Sequence, residues 1–118
     1  MQVKPAVIRV ATGLVLLLTA TSATALGPAE EGRRVFLKEN CYACHGGRSG
    51  GGMGPNLRSD RPGEDTVKDA VREGKSGGMP AFPNLSSRDI DNLAAYFKTL
   101  RTRAEPTFTH WWEAVPSQ

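Results

Sequence analysis

The run Cys41-Tyr42-Ala43-Cys44-His45 holds both cysteines of the chain and sets a histidine directly after the second. Two thiols three residues apart, followed by an imidazole, form the attachment pattern of c-type haem. The two intervening residues let both sulfurs reach one porphyrin edge as thioethers, and the histidine that follows turns under the metal as an axial ligand. Three other uses of the cysteines compete. A redox dithiol of this spacing usually sits on a βαβ scaffold, and no strand-rich pattern surrounds this one. A closed zinc site needs four ligands, and the only other histidine is His110. A disulfide between Cys41 and Cys44 would close a trivial loop and give His45 no role. Covalent haem accounts for all three side chains.

The N-terminus reads as an address. Lys4 and Arg9 form a basic start, Val10 to Leu18 is a short apolar stretch, and Ala23-Thr24-Ala25 is a small-x-small cleavage site. A membrane anchor needs about 18 or more apolar residues, and this run is shorter and interrupted by Thr12 and Gly13. The expectation is therefore a secretory signal peptide over residues 1–25, cleaved after Ala25, with no stable membrane span after processing. Export agrees with the motif, because c-type haem is joined to its apoprotein on the outer side of the energy-transducing membrane.

What remains is enough for one small domain with a thin core, which a buried porphyrin would thicken. Losing Lys4 and Arg9 takes the formal charge from +3 to +1, and two ionised propionates would bring the holoprotein to about −1. The basic pI of about 9.1 is thus no argument for nucleic acid, and no basic cluster interleaved with aromatics supports one.

The mature chain reads as helices and loops, with no strand signal and no internal repeat. A first helix is predicted over about Ala29 to Glu39, with Glu30 and Glu31 in its first turn, and Gly32, Val35 and Phe36 on one face. Asn40 is expected to break it. Six glycines fall within Gly46 to Gly54. With no strand before them and no Gly-Lys-Ser/Thr after, they read as a loop packed under a flat cofactor rather than a phosphate cradle. Thr66 to Glu73 is a short helix stopped by Gly74. The last helix starts at Ser86, with Asp89 completing a capping box, and repeats Ile90, Leu93, Ala94, Phe97 and Leu100 at helical spacing.

In this order the chain resembles the class I cytochromes c, of the short bacterial monohaem type, over most of residues 28–103. Gly32 and Phe36 on the first helix come first, then Cys41-Tyr42-Ala43-Cys44-His45. Gly54-Pro55-Asn56-Leu57 follows, then Gly78-Met79-Pro80-Ala81-Phe82, and last Leu93-Ala94-Ala95-Tyr96-Phe97. The resemblance implies an all-α, single-domain cytochrome c fold, with three main helices and loops wrapped around one covalent haem c. After the 1–25 signal peptide, the chain then divides into a 26–103 cytochrome c domain and an aromatic 104–118 tail. The resemblance implies that the terminal helices cross at Gly32, with Gly32 and Phe36 meeting Leu93 and Tyr96. It makes Cys41 and Cys44 the haem attachment points and His45 the proximal iron ligand. Pro55 would be the carbonyl that accepts from the His45 ring, and Met79 the sixth ligand, a soft sulfur that favours ferrous iron. Met53 and His110 are the rivals of Met79. Arg58 and Arg61 are candidates for steering a propionate, or plain solvated loop charges. Met79 follows His45 by 34 residues, which places the chain among the short members.

An iron closed on both faces leaves no room for substrate, so the expected function is an exported carrier of single electrons and not an enzyme. The alternative is a haem enzyme or a gas or redox sensor with a labile sixth ligand. The expected location is the periplasm. The expected donors are a periplasmic dehydrogenase, such as a quinoprotein alcohol dehydrogenase, or a quinol-oxidising complex, and the expected acceptors an oxidase or peroxidase. The segment Glu105 to Pro116 departs from the family pattern and contains both tryptophans. It reads as a tail folded over apolar surface or as a docking element, Trp being enriched at interface anchors.

Overall fold

Gly27, Pro28 and Glu30 start the first helix, α1, at Pro28–Lys38. Proline at the first position has no N–H to leave unbonded, and the Glu30 carboxylate reaches back to accept from the Gly27 N–H at 2.7 Å. Asn40 stops the helix in a left-handed conformation, φ 58°. The cysteine motif then forms a single turn of its own, α2 at Tyr42–His45, which the sequence did not announce. A second single turn, α3 at Leu57–Asp60, is capped by the Asn56 carboxamide oxygen, which accepts from the N–H of Arg58 and of Ser59. The next helix, α4 at Glu64–Glu73, begins half a turn earlier than predicted. Gly63 occupies its cap position, and Glu64 and Asp65 add charge that favours the helix start. Last is α5 at Ser87–Thr99, opened by reciprocal bonds between Ser86 and Asp89.

The computed structural model describes residues 1–7 and 25–114. Most of the predicted signal peptide, including its apolar stretch, lies outside the described residues. Among the described residues there is no strand, only an isolated antiparallel bridge between Lys75 and Met79. No helix there is long and apolar enough to cross a membrane. The expected all-α architecture is the observed one.

The two long helices, α1 and α5, form the principal contact, and α4 packs on α5. Gly32 makes the crossing possible. A Cβ on it would lie 1.9 Å from the Asn92 carbonyl oxygen and 2.8 Å from Tyr96 Cβ. Around this point Phe36 meets Tyr96 edge-on at 5.6 Å and Phe97 at 6.1 Å between ring centres. Val67 and Val71 of α4, and Ile90, Leu93, Ala94 and Leu100 of the α5 region, complete the buried core. Phe36 and Leu93 share this core, while Gly32 itself abuts Asn92 and Tyr96.

Past α5 the chain folds back over the domain. Phe108 is fully buried, and Glu105 enters a cluster with Arg58 and Arg48 while also accepting from the Arg101 N–H. Phe108, rather than a tryptophan, fills the interior; Trp111 and Trp112 are 42% and 62% exposed. Burial alone would raise the Glu105 pKa. The hydrogen bonds from Arg58 and the Arg101 N–H, with the charges of Arg58 and Arg48, outweigh it and hold the carboxyl below its ordinary 4.5.

Two outcomes test this packing. Gly32→Ala should lower stability by about 3 kcal/mol, because an overfilled helix crossing must shift backbone. Thermal melts of the holoprotein should show it as a fall of roughly 10 °C or more. Glu105→Gln should cost about 1–2 kcal/mol at neutral pH by urea denaturation, from loss of a charge-assisted bond. A carboxyl with a depressed folded pKa contributes fully above its ordinary value and loses that contribution as pH falls through the folded one. The wild-type advantage should therefore be flat above pH 4.5 and shrink on acidification below it.

Candidate haem site

The site begins where α1 ends. Cys41 donates its N–H to the Phe36 carbonyl at 3.0 Å, so the first cysteine is anchored to the last turns of α1. The following turn brings the His45 N–H to the Cys41 carbonyl at 3.0 Å, setting Cys41, Cys44 and His45 on one compact element. Both cysteines are half-buried. Burial, and then the Glu39 carboxylate, push the Cys41 thiol up from 9.0 to about 11.

The imidazole of His45 is held from the far side of the glycine loop. Its Nδ1 lies 2.9 Å from the Pro55 carbonyl oxygen. A carbonyl only accepts, so Nδ1 carries the proton and Nε2 presents its lone pair outward, the tautomer a metal-bound histidine requires. Gly54 sits flat against this ring; a Cβ there would lie 3.0 Å from the ring atoms Cε1 and Nδ1. The loop is bonded largely to itself and to the motif. Gly51 N–H donates to the His45 carbonyl at 2.7 Å, and Gly54 N–H to the Cys44 carbonyl at 2.9 Å. Gly46 turns the chain at φ 85°, where a Cβ would also strike the Gly51 carbonyl.

Met79 lies on a second loop, secured to the end of α4. Its carbonyl accepts from the Lys75 N–H at 2.9 Å, and Phe82 N–H donates to the Val71 carbonyl at 2.8 Å. Met79 is half-buried and, like Val35, Cys41, Leu57, Phe82 and Leu85, packs against the core. The two rivals occupy different surroundings. Met53 is 88% exposed. His110 lies beyond α5, stacked on Trp112 at 4.6 Å and bonded to Thr109 and Glu113. Arg58 is taken up by Glu105 and the Arg48 carbonyl, and Arg61 ends α3 in a left-handed turn with its side chain exposed.

These residues fit a covalently held haem. Two thiols share one turn with an imidazole whose Nδ1 is held by a carbonyl, and the partly buried side chains packed against the core are apolar, with the Met79 thioether among them. No group of three or more His, Cys, Asp or Glu among the described residues could hold a metal ion in the manner of a zinc site.

One partner in this region was not anticipated. Arg33 follows the crossing glycine and is almost wholly buried. It donates from Nη1 to the Gly47 carbonyl at 2.7 Å and to the Tyr96 hydroxyl at 3.1 Å, and from Nε and Nη2 to the Phe108 carbonyl. A signal was present: Arg33 stands three residues before Phe36, on the stripe that the sequence pattern marks as apolar.

Comparison with known proteins identifies the family. Residues 27–97 match the family described as cytochrome c oxidase, cbb3-type, subunit III. A cytochrome c oxidase subunit 2 of Alkalihalophilus pseudofirmus is 28% identical over 62% of this chain and 26% of its own length. The lupanine 17-hydroxylase [cytochrome c] of a Pseudomonas species is 37% identical over 58% of this chain and 10% of its own. The chain thus spans about a quarter of one curated relative and a tenth of the other. Among solved structures, the c-type cytochrome SorU from Sinorhizobium meliloti is 30% identical. The alignment covers 62% of this chain and 90% of that one, with a TM-score of 0.53. With the matched segment running from the start of α1 almost to the end of α5, the chain belongs to this family of cytochrome c domains and is a haem c protein.

Proposed function

We propose that this protein is an exported carrier of single electrons whose iron is closed between His45 and Met79, with no substrate chemistry of its own. The observation that carries this reading is the 2.9 Å contact between His45 Nδ1 and the Pro55 carbonyl, with Met79 packed at the edge of the same core as Cys41. Once bound, the haem supplies a reversible one-electron couple. The chain does the rest. Cys41 and Cys44 tether the group through their sulfurs. His45, held by Pro55 and flanked by Gly54, keeps a fixed ring direction and a raised basicity toward the metal. Met79 would offer a soft thioether from a loop braced on α4, a ligand that would favour ferrous iron. Val35, Leu57, Phe82 and Leu85 are partly buried apolar side chains packed against the same core as Met79 and Cys41.

The relatives named as an oxidase subunit and as a hydroxylase [cytochrome c] support redox proteins as partners. In this reading the donor is a periplasmic dehydrogenase, a quinoprotein alcohol dehydrogenase among them, or a quinol-oxidising complex, and the acceptor is an oxidase or peroxidase. The basic start, apolar stretch and Ala23-Thr24-Ala25 site support export, with a mature chain beginning at Leu26.

Intact-mass analysis of the exported protein should give a chain starting at Leu26 plus one haem; a full-length mass would oppose the cleavage, and a haem-free mass the covalent attachment. The oxidised protein should show the weak far-red band of sulfur-to-iron coordination, and Met79→Ala should abolish it and turn the ferric spectrum high-spin. A wild-type protein that is already high-spin, or a band that survives Met79→Ala, would replace the closed carrier with an enzyme or sensor, or with another sixth ligand.

A further inference from the structure

Arg33 and Ser49 are the buried polar residues among those described. Arg33 forms no ion pair with a carboxylate there; its acceptors are two backbone carbonyls and one phenol. Its guanidinium carbon also lies 5.5 Å from the Phe36 ring centre and 5.7 Å from that of Tyr96, facing two electron-rich rings. Neutral dipoles of this kind offset part of the cost of burying the cation, yet leave its unit charge uncancelled.

The charge is tied to the segment that follows His45. Gly47, which accepts from Nη1 at 2.7 Å, is two residues beyond His45. The Tyr96 hydroxyl that Arg33 contacts is 3.1 Å from Ser49 Oγ, and the Ser49 N–H donates to the Gly46 carbonyl at 2.9 Å. Arg33 therefore grips the start of the loop that carries Pro55 to His45.

Resting on the haem-carrier reading above, we propose that Arg33 is a potential-setting residue: a fixed interior cation behind the His45 loop that favours the reduced carrier over the oxidised one. Accepting one electron from a donor lowers the charge of the site by one unit. A neighbouring cation repels the oxidised form more, and in a medium of low dielectric constant that difference is several times larger than in water. Salt screens it weakly, because the interior excludes ions.

Equilibrium redox titration of the purified holoprotein tests this, with wild type, Arg33→Gln, Arg33→Lys, Ser49→Asp and the exposed control Arg72→Gln compared at low and high salt. Arg33→Gln should lower the reduced-to-oxidised ratio about tenfold at a fixed ambient potential, which is about 59 mV for one electron. Arg33→Lys keeps the charge but not the fork of donors, and should stay close to wild type. Ser49→Asp keeps the guanidinium but sets a carboxylate within its network, at a φ of 61° that Asp tolerates. It should fall like Arg33→Gln, and where Arg33→Gln does not hold haem an unmoved ratio in Ser49→Asp would overturn the proposal, because charge in this network would then not reach the redox centre. The control should not move, and the shifts should persist at high salt.

A wild-type ratio in both Arg33→Gln and Ser49→Asp would overturn the proposal. So would an Arg33→Lys shift as large as that of Arg33→Gln, which would assign the effect to donor geometry instead of charge. A wild-type protein without a reversible one-electron couple would instead overturn the carrier reading itself.

Discussion

Everything in this fold hangs on how closely α1 and α5 approach at Gly32. The Asn92 carbonyl and Tyr96 Cβ occupy the space a side chain would need, so the crossing exists only because residue 32 has none. That closeness brings Phe36 against Tyr96 and Phe97 and turns the C-terminal end of α1 toward the rest of the core. Cys41 inherits its position from that end through its bond to the Phe36 carbonyl. The haem-attachment candidates are in this sense an extension of a helix–helix contact.

The glycine loop adds a second level of control. Between Gly46 and Pro55 the chain folds onto the cysteine motif mainly through backbone bonds, and small residues let it lie flat against the His45 ring. Two arginines then fasten it from opposite directions. Arg33 reaches it from inside, at Gly47, and Arg58 ties the following turn to Glu105 beyond α5. The C-terminal segment belongs to this arrangement, since it supplies the Phe108 carbonyl and the Glu105 carboxylate.

Much of this was legible beforehand. α1, α4 and α5 announce themselves by apolar spacing and end signals, and Ser86 with Asp89 marks the α5 start within a residue. The turns α2 and α3 were not legible, because four residues are too few to display a period. The self-bonding of the glycine loop was invisible for a different reason: its donors and acceptors are main-chain atoms, which every sequence possesses. Arg33 falls between these cases. Its place on the apolar stripe was in view, but its acceptors lie 14, 63 and 75 residues away, beyond any local pattern. The expectation for Met79 came from the order of motifs along the chain, since a methionine between glycines and a proline has no distinctive spacing of its own.

The choice of acceptors around Arg33 has an evolutionary consequence. Three of its four hydrogen bonds end on the carbonyls of residues 47 and 108, and a point substitution at either residue leaves a carbonyl in place. The grip is thus written into the sequence at one position while its other half is carried by chain length and path. Residues 47 and 108 are free to vary in identity as far as these bonds are concerned, whereas an insertion or deletion in either segment would displace the oxygen itself. Across diverging copies of such a chain, the mark of this network would be a fixed arginine and a fixed residue count between segments, with few conserved side chains to betray it.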